Sequence, residues 1–353
     1  MIKIQSFLSV LNNIWPYVVA VLVFMVLIII HEFGHFIFAK LTGVKVNEFA
    51  VGFGPKLFAF KKGETTYRFN LIPLGGYCAM EGEDESSEDS RAFCKKGPVA
   101  RFLIVFAGAF FNLLLGIILV AVTLIPGKLF STTTVAKFTE DAQSSQYGLM
   151  AGDTILEVDS RKIYTTYDLN YAFMGVDGNS IDMVVLRDGK KVPLDNVQFK
   201  TESYEGVNYL SVDFWVFGEE KTFGNYIKQT FKMTFSYMRV IWFSLVDLIG
   251  GRFGLNAVSG PVGVTAAIGE AAKQNIFNIL PIMALITINL GMFNLFPIPA
   301  LDGGRLLFIF FEIIFRKKVP EKWEGAVHTV GFVILIGFMI LVTFKDILKL
   351  ITG

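Results

Sequence analysis

Four long apolar stretches constrain the fold of this chain more than any other feature of its sequence. They cover residues 17–39, 102–125, 279–301 and 329–345, and a helix needs about 20 residues to cross the hydrocarbon core of a bilayer. The chain is 53% hydrophobic and only 18% charged, whereas soluble proteins carry about 25% charged residues. We therefore predict a polytopic α-helical membrane protein with four transmembrane helices.

The distribution of basic residues between the apolar stretches predicts their orientation, because short loops rich in lysine and arginine stay in the cytoplasm. The connection 305–322 is the richest of them, with Arg305, Arg316, Lys317, Lys318 and Lys322. We therefore expect both termini to lie outside, with residues 40–101 inside and the long connection after residue 126 outside. The formal net charge of +1 offers no basic surface for nucleic acid, so we expect no nucleic-acid partner.

The inner connection, 40–101, carries three short runs with strand character, separated by glycine and proline (44–51, 57–60 and 67–72). Such runs are typical of paired strands. We predict a membrane-associated β-hairpin or sheet in this loop.

The outer connection begins with short β-like runs and turns over 127–205, which predict an inserted α+β domain. Further on, Lys228, Lys232 and Arg239 recur at near-helical spacing among aromatic residues, as in a helix that lies in the membrane interface. The alternative is a fifth span over 223–249, against which Arg239 and Asp247 argue because charges in hydrocarbon are costly. We therefore divide the chain into four parts. The two halves of a membrane core are 1–126 and 279–353. Between them lie an extracytoplasmic domain (127–205) and an amphipathic interfacial segment (206–278).

The sequence His31-Glu32-Phe33-Gly34-His35 lies near the end of the first apolar stretch. Residues four apart share one face of a helix, so the two histidines can bind one Zn²⁺ ion, with Glu32 beside it as a general base. The alternative is a pair of core histidines that only hydrogen-bond to their neighbours. Ionisable residues inside a membrane span are costly and usually functional, which favours the metal site.

Zinc needs a third protein ligand, and we expect it to be Asp302. The first and third spans run in the same direction, and His31 follows about 14 apolar residues, or about 21 Å of helix. Asp302 follows an apolar run of comparable length, so both reach a similar depth. The alternative is a helix-end aspartate that faces water.

Two asparagines in the apolar stretches have open assignments. Asn294 can contact the substrate carbonyl or an oxyanion, or it can form an interhelical hydrogen bond. Asn112 is expected to hydrogen-bond between helices, and the alternative for it is a part in catalysis. Pro297 and Pro299 should interrupt the third helix, which is tolerated at membrane depth only around a protein-lined or water-filled cavity.

These residues resemble the site-2 protease family of intramembrane zinc metalloproteases, most closely its bacterial regulator-of-sigma-E protease branch. The resemblance covers nearly the whole chain in family order. It rests on residues 31–35, 51–55, 71–77, 260–264 and 294–304, together with 146–158, which resembles the core of a bacterial PDZ domain.

The resemblance implies His31, His35 and Asp302 as zinc ligands, Glu32 as catalytic base and Asn294 as a substrate-contacting residue. It also implies a location in the bacterial plasma (inner) membrane. The expected substrates are single-pass membrane proteins that another protease has already trimmed, such as an anti-sigma factor or remnant signal peptides. The competing functions are a membrane metal transporter that uses the same residues and an inactive scaffold for the PDZ-like domain.

Overall fold

The computed structural model describes residues 2–83, 85–204, 207–254 and 257–352. Its helices are α1 (Ile2–Leu41), α2 (Pro98–Thr123), α3 (Thr166–Ala172), α4 (Phe223–Ile249), α5 (Pro261–Gln274), α6 (Ile279–Phe293), α7 (Asp302–Phe315) and α8 (Glu321–Thr352). Its strands are β1 (Val46–Lys62), β2 (Thr65–Met80), β3 (Leu129–Phe138), β4 (Thr154–Val158), β5 (Arg161–Lys162), β6 (Ser180–Arg187), β7 (Lys190–Gln198), β8 (Lys200–Tyr204), β9 (Val207–Ser211) and β10 (Phe214–Glu220).

Among the described residues, four helical segments are long and apolar enough to cross a membrane: Ile14–Leu41, Pro98–Thr123, Ile276–Phe293 and Lys322–Lys349. Each overlaps one of the apolar stretches in the sequence, so the prediction of four candidate spans is confirmed. The long helix α4 is not among them, because its charged residues lower its mean hydropathy.

The chain forms two compact units, and the first comprises Met1–Leu119 and Gly260–Gly353. Two apolar clusters hold it together. One joins α1 to α5 and α6 through residues such as Leu27, Ile268 and Ile279. The other joins α1, α2, the β1–β2 sheet and α7 through residues such as Ala39, Ile104 and Ile309.

Strands β1 and β2 are long, and they pair with each other along more than one stretch. Val51 pairs with both Phe69 and Gly76, so the first half of β1 lies between the two halves of β2. The second half of β1 pairs with the first half of β2, as at Lys62 and Thr65. The result is one antiparallel sheet made of four strand segments side by side. It is more extensive than the hairpin or sheet predicted for residues 40–101.

Helix α6 ends at Phe293, short of the limit near residue 301 expected for the third span. The interruption expected from Pro297 and Pro299 is present, since proline lacks the N–H that a helix interior requires. Ala300 then adopts a left-handed conformation with φ of 74°. The expected loop 305–322 also differs, because α7 occupies its first part up to Phe315.

The second unit, Val120–Ser259, is built on a sheet with strand order β10-β3-β4-β6-β7, to which β5 adds beside β4. A separate hairpin pairs β8 with β9. The sheet and α3 enclose a core that includes Leu149, Ile155, Phe173, Met183 and Phe199. This is an α+β arrangement.

The expected boundary at residue 206 differs from the observed division, and residues 205 and 206 lie outside the described residues. Strand β10 pairs with β3, so the chain beyond 206 still completes the α+β domain. Helix α5 belongs to the first unit, where it packs against α1. These domain boundaries depend on strand pairing and helix packing between segments that are far apart in the sequence. The local amino-acid composition does not indicate them.

Candidate metal centre

One face of α1 carries the histidines of the predicted metal site. His31 and His35 are one turn apart and both are buried, with 9% and 8% of their surface exposed. Helix α2 approaches this face closely, because Gly34 has no side chain to hold it away. A β-carbon at Gly34 would overlap the carbonyl group of Ala107.

Asp302 begins α7 and reaches the same place from the other half of the chain. Its Oδ2 lies 3.1 Å from Nε2 of His31 and 3.3 Å from Nε2 of His35. The two Nε2 atoms are themselves 3.3 Å apart. The sharp turn through Pro297–Leu301 makes this approach possible, since it redirects the chain immediately before Asp302.

The donor set suits a zinc ion. The ligand atoms of His31, His35 and Asp302 all lie within 4.8 Å of one another. Two imidazole nitrogens and one carboxylate oxygen are ligands that zinc prefers, and catalytic zinc sites have three protein ligands and one open position. The buried Oδ2 atom of Asp302 has no conventional hydrogen-bond donor among the described residues, as expected for an atom that faces a metal ion.

The other ring nitrogen of each histidine faces α2. Nδ1 of His35 lies 2.9 Å from the backbone oxygen of Ile104. Nδ1 of His31 lies 3.1 Å from the side-chain amide of Asn112, which is completely buried. The sequence predicted an interhelical hydrogen bond for Asn112, and this contact joins α2 to α1, but its partner, a histidine of the site, was not anticipated.

Glu32 lies on α1 between the two histidines and next to the sheet. A β-carbon at Gly76 would lie 3.4 Å from Cγ of Glu32 and 2.9 Å from the carbonyl oxygen of Ala50. Gly76 therefore lets the last part of β2 pass directly beside the glutamate. This places the expected catalytic base at one edge of the sheet.

Asn294, the expected substrate-contacting residue, ends α6 and is 7% exposed. Its backbone N–H closes the last helical turn onto Leu290. Within the described part of the chain, no hydrogen bond joins its side chain to the three residues of the metal group. It precedes the irregular segment that leads to Asp302.

Comparisons with known proteins show the family to which the chain belongs. The model of Peptidase family M50 matches residues 19–338. A protein of Clostridium perfringens, whose name assigns it provisionally to the zinc metalloproteases, is 39% identical over 93% of this chain and 97% of its own length.

Two further relatives carry related names. A provisionally named zinc metalloprotease of Fusobacterium nucleatum is 32% identical over 95% of this chain and 99% of its own length. The zinc metalloprotease RasP of Geobacillus kaustophilus is 28% identical over 93% of this chain and 97% of its own length. The extent of the family match and of these identities leads to one conclusion: this chain belongs to Peptidase family M50 and is a membrane zinc metalloprotease.

Proposed function

We propose that this protein is an intramembrane endopeptidase that cleaves the transmembrane segments of single-pass membrane proteins. One observation carries the proposal. His31 and His35 lie within a helix long enough to cross a bilayer, and Asp302, from a distant part of the chain, lies within 3.3 Å of both. A hydrolytic centre in that position can reach peptide bonds that soluble proteases cannot.

The chemistry is assigned to residues of this chain. His31, His35 and Asp302 would hold zinc, which would supply a Lewis acid and lower the pKa of a bound water towards about 7. Glu32 takes a proton from the attacking water and delivers it to the leaving nitrogen, the role of a general base and acid. Asn294 contacts the substrate carbonyl. A cavity of about 310 Å³ lies near the start of α7 and is lined in part by Glu83 and Arg305.

Substrate unwinding is assigned to the β1–β2 sheet. A transmembrane helix hides its peptide bonds in backbone hydrogen bonds, so it must be extended before hydrolysis. Strand addition to a sheet edge holds peptides in that form, and the edge at Gly76 passes beside Glu32. Proline substitutions at edge positions of β2 should therefore reduce cleavage. Unchanged cleavage would contradict strand addition.

The α+β unit is proposed to be a PDZ-like domain on the extracytoplasmic side, which excludes substrates whose outer part has not been trimmed. A cavity of about 440 Å³ borders Phe173, Met174 and Leu210 and would accept an apolar peptide side chain. Both termini lie on the same side of the bacterial inner membrane. Deletion of residues 131–202 should allow untrimmed substrates to be cut, and continued rejection of them would contradict the size filter.

Helix α4 is proposed to rest in the outer membrane interface. Two of its charged residues bond to the α+β domain, Arg239 to Asp168 at 3.0 Å and Asp247 to Arg161 at 2.5 Å. Several of its large apolar residues are exposed: Phe223, Ile227, Phe231, Phe235, Trp242, Val246 and Ile249. A helix of this kind inserts its apolar face among lipid headgroups.

The competing function is a membrane metal transporter that uses the same three residues. A transporter has no need for a glutamate in the position of a general base. The discriminating experiment compares membranes of cells that carry the wild-type chain or Glu32→Gln, measuring trapped single-span fragments by proteomics and bound zinc in the purified protein. We expect fragments to accumulate with Glu32→Gln while zinc is retained. Full proteolysis by the variant would contradict the proposal.

A further inference from the structure

The hydrogen bond of His35 to α2 fixes the position of its ring proton. A backbone carbonyl oxygen can only accept a hydrogen bond, so Nδ1 of His35 donates its proton to Ile104 at 2.9 Å. In a neutral imidazole only one nitrogen carries a proton. The lone pair therefore lies on Nε2, the atom that faces Asp302 at 3.3 Å, as a metal ligand requires.

His31 has the same requirement but a different partner. Its Nε2 lies 3.1 Å from Asp302, so this nitrogen must also present a lone pair if it binds the metal. Nδ1 must then carry the proton, and Asn112 must accept it. The structure places the amide nitrogen Nδ2 of Asn112 at 3.1 Å from Nδ1, so acceptance requires the amide to turn and present its oxygen. An amide NH₂ in that position would leave the proton on Nε2, where it blocks coordination.

The orientation of the Asn112 amide is free to meet this requirement. The two ends of a primary amide are of nearly equal size, so hydrogen bonding decides which end faces His31. As placed, the Oδ1 atom is buried and has no hydrogen-bond partner in the described ranges, while Nδ2 faces His31. Turning the amide by half a rotation therefore breaks no second bond, and its contact with His31 alone sets its direction.

We propose that Asn112 is a positioning residue whose side-chain oxygen accepts the Nδ1–H of His31 and so keeps Nε2 available to the metal. The inference rests on the proposed function only in requiring that His31 is a zinc ligand. It assigns to α2 the role of orienting both imidazoles, with the backbone of Ile104 serving His35 and the side chain of Asn112 serving His31. Groups of this kind fix the tautomer and ring orientation of metal-binding histidines.

The assignment is tested by two substitutions of Asn112, one that removes the hydrogen-bond acceptor and one that keeps an acceptor but removes the donor. Asn112→Leu removes the polar group at similar size, and Asn112→Asp keeps an acceptor but cannot donate when ionised. Thr287→Val is the matched control, because Thr287 donates to the backbone oxygen of Asn112 at 3.1 Å and does not contact the histidines. The measurement is the zinc dissociation constant of the purified full-length chain, determined by competition with a chelator.

We expect Asn112→Leu to weaken zinc binding by about 10–100-fold, the usual effect of losing such a group. Asn112→Asp and Thr287→Val should bind zinc nearly as tightly as wild type. Equal weakening by Asn112→Asp and Asn112→Leu would overturn the acceptor role, as would wild-type affinity in Asn112→Leu. If His31→Ala itself leaves zinc binding unchanged, the proposed metal site fails as well, which separates the two claims.

A spectroscopic measurement on the unsubstituted protein decides the question even if a variant does not fold. The chain has only three histidines, so ¹⁵N-histidine labelling gives few ring signals. In the zinc-loaded wild-type protein we expect the Nδ1 of His31 to be protonated, with signals assigned from His31→Ala and His35→Ala. An unprotonated Nδ1 on His31 would overturn the proposal.

Discussion

A β-carbon at Gly108 of α2 would overlap the imidazole ring of His35 on α1, and it would lie 2.8 Å from Cε1 of His31. The absence of a side chain at Gly108 therefore allows both rings to approach the backbone of α2 closely. The arrangement of the metal group depends on this close contact between α1 and α2.

Replacing Gly108 with alanine should disturb the metal group. The added methyl group displaces the His35 ring, so we expect Gly108→Ala to weaken zinc binding at least about tenfold, within the range found when ligand orientation is lost. Gly116→Ala is the control, because a β-carbon there would meet the side chains of Ile288 and Thr287, away from the site. Zinc affinity in Gly108→Ala equal to that of the control would contradict this account.

A second substitution tests the narrow passage between the sheet and the catalytic base. Gly76→Ala places a methyl group 3.4 Å from Cγ of Glu32 and 2.9 Å from the oxygen of Ala50. Because small displacements of catalytic groups cost up to about a hundredfold in rate, kcat/KM for a transmembrane substrate should fall by about 10–100-fold. Zinc affinity should stay at the wild-type level, and a matching loss of zinc would show that the change acts on the metal group.

Asp346 on α8 should stabilise the start of α5. Its buried carboxylate accepts hydrogen bonds from the backbone N–H groups of Gly260 at 2.9 Å and Gly263 at 2.8 Å. A negative charge at a helix N-terminus is favourable, and a hydrogen bond to a charged group contributes about 1.5–3 kcal/mol. We expect Asp346→Ala to lower the unfolding temperature in detergent and Asp346→Asn, which keeps an acceptor, to lower it less. Equal effects of the two variants would contradict the capping role.

The α+β unit should respond to acid through Asp247. Burial raises the pKa of this carboxyl group, but hydrogen bonds from Arg161 and Tyr171 outweigh burial and hold the pKa below its ordinary value of 3.8. A carboxyl group with a lowered pKa stabilises the fold above its ordinary pKa, and the stabilisation is lost as pH falls through the folded-state pKa.

The matching experiment measures unfolding of the zinc-free chain against pH. At pH 7, Asp247→Asn should be less stable than wild type by about 2 kcal/mol, the usual contribution of hydrogen bonds to a charged group. The difference should narrow as the pH falls below 3.8. A difference that stays constant through this range would contradict the assignment.

Local sequence patterns were sufficient to predict the spans and most of the metal group. Each apolar stretch predicts a single helix, and the spacing of His31 and His35 corresponds to a single helix turn. Both predictions depend only on residues that are close together in the sequence. Asp302 was predicted from the length of the apolar run before it and from the expected direction of that span, and the structure places its carboxylate within 3.3 Å of both histidines.

Other features depend on contacts between distant segments. The double pairing of β1 with β2 follows from register, which the short runs in residues 40–101 do not specify. The return of β10 to β3 and the packing of α5 on α1 are likewise long-range. The sequence around Asn112 predicts an interhelical hydrogen bond, and the partner, His31, follows only from the approach of α2 to α1.

The zinc affinity of Asp302→Ala tests the central claim most directly, because this carboxylate is the part of the group supplied by the second half of the chain. The account predicts that purified Asp302→Ala binds zinc far more weakly than wild type, to an extent similar to His35→Ala. Wild-type zinc affinity in Asp302→Ala, with His35→Ala impaired, would contradict a shared ion.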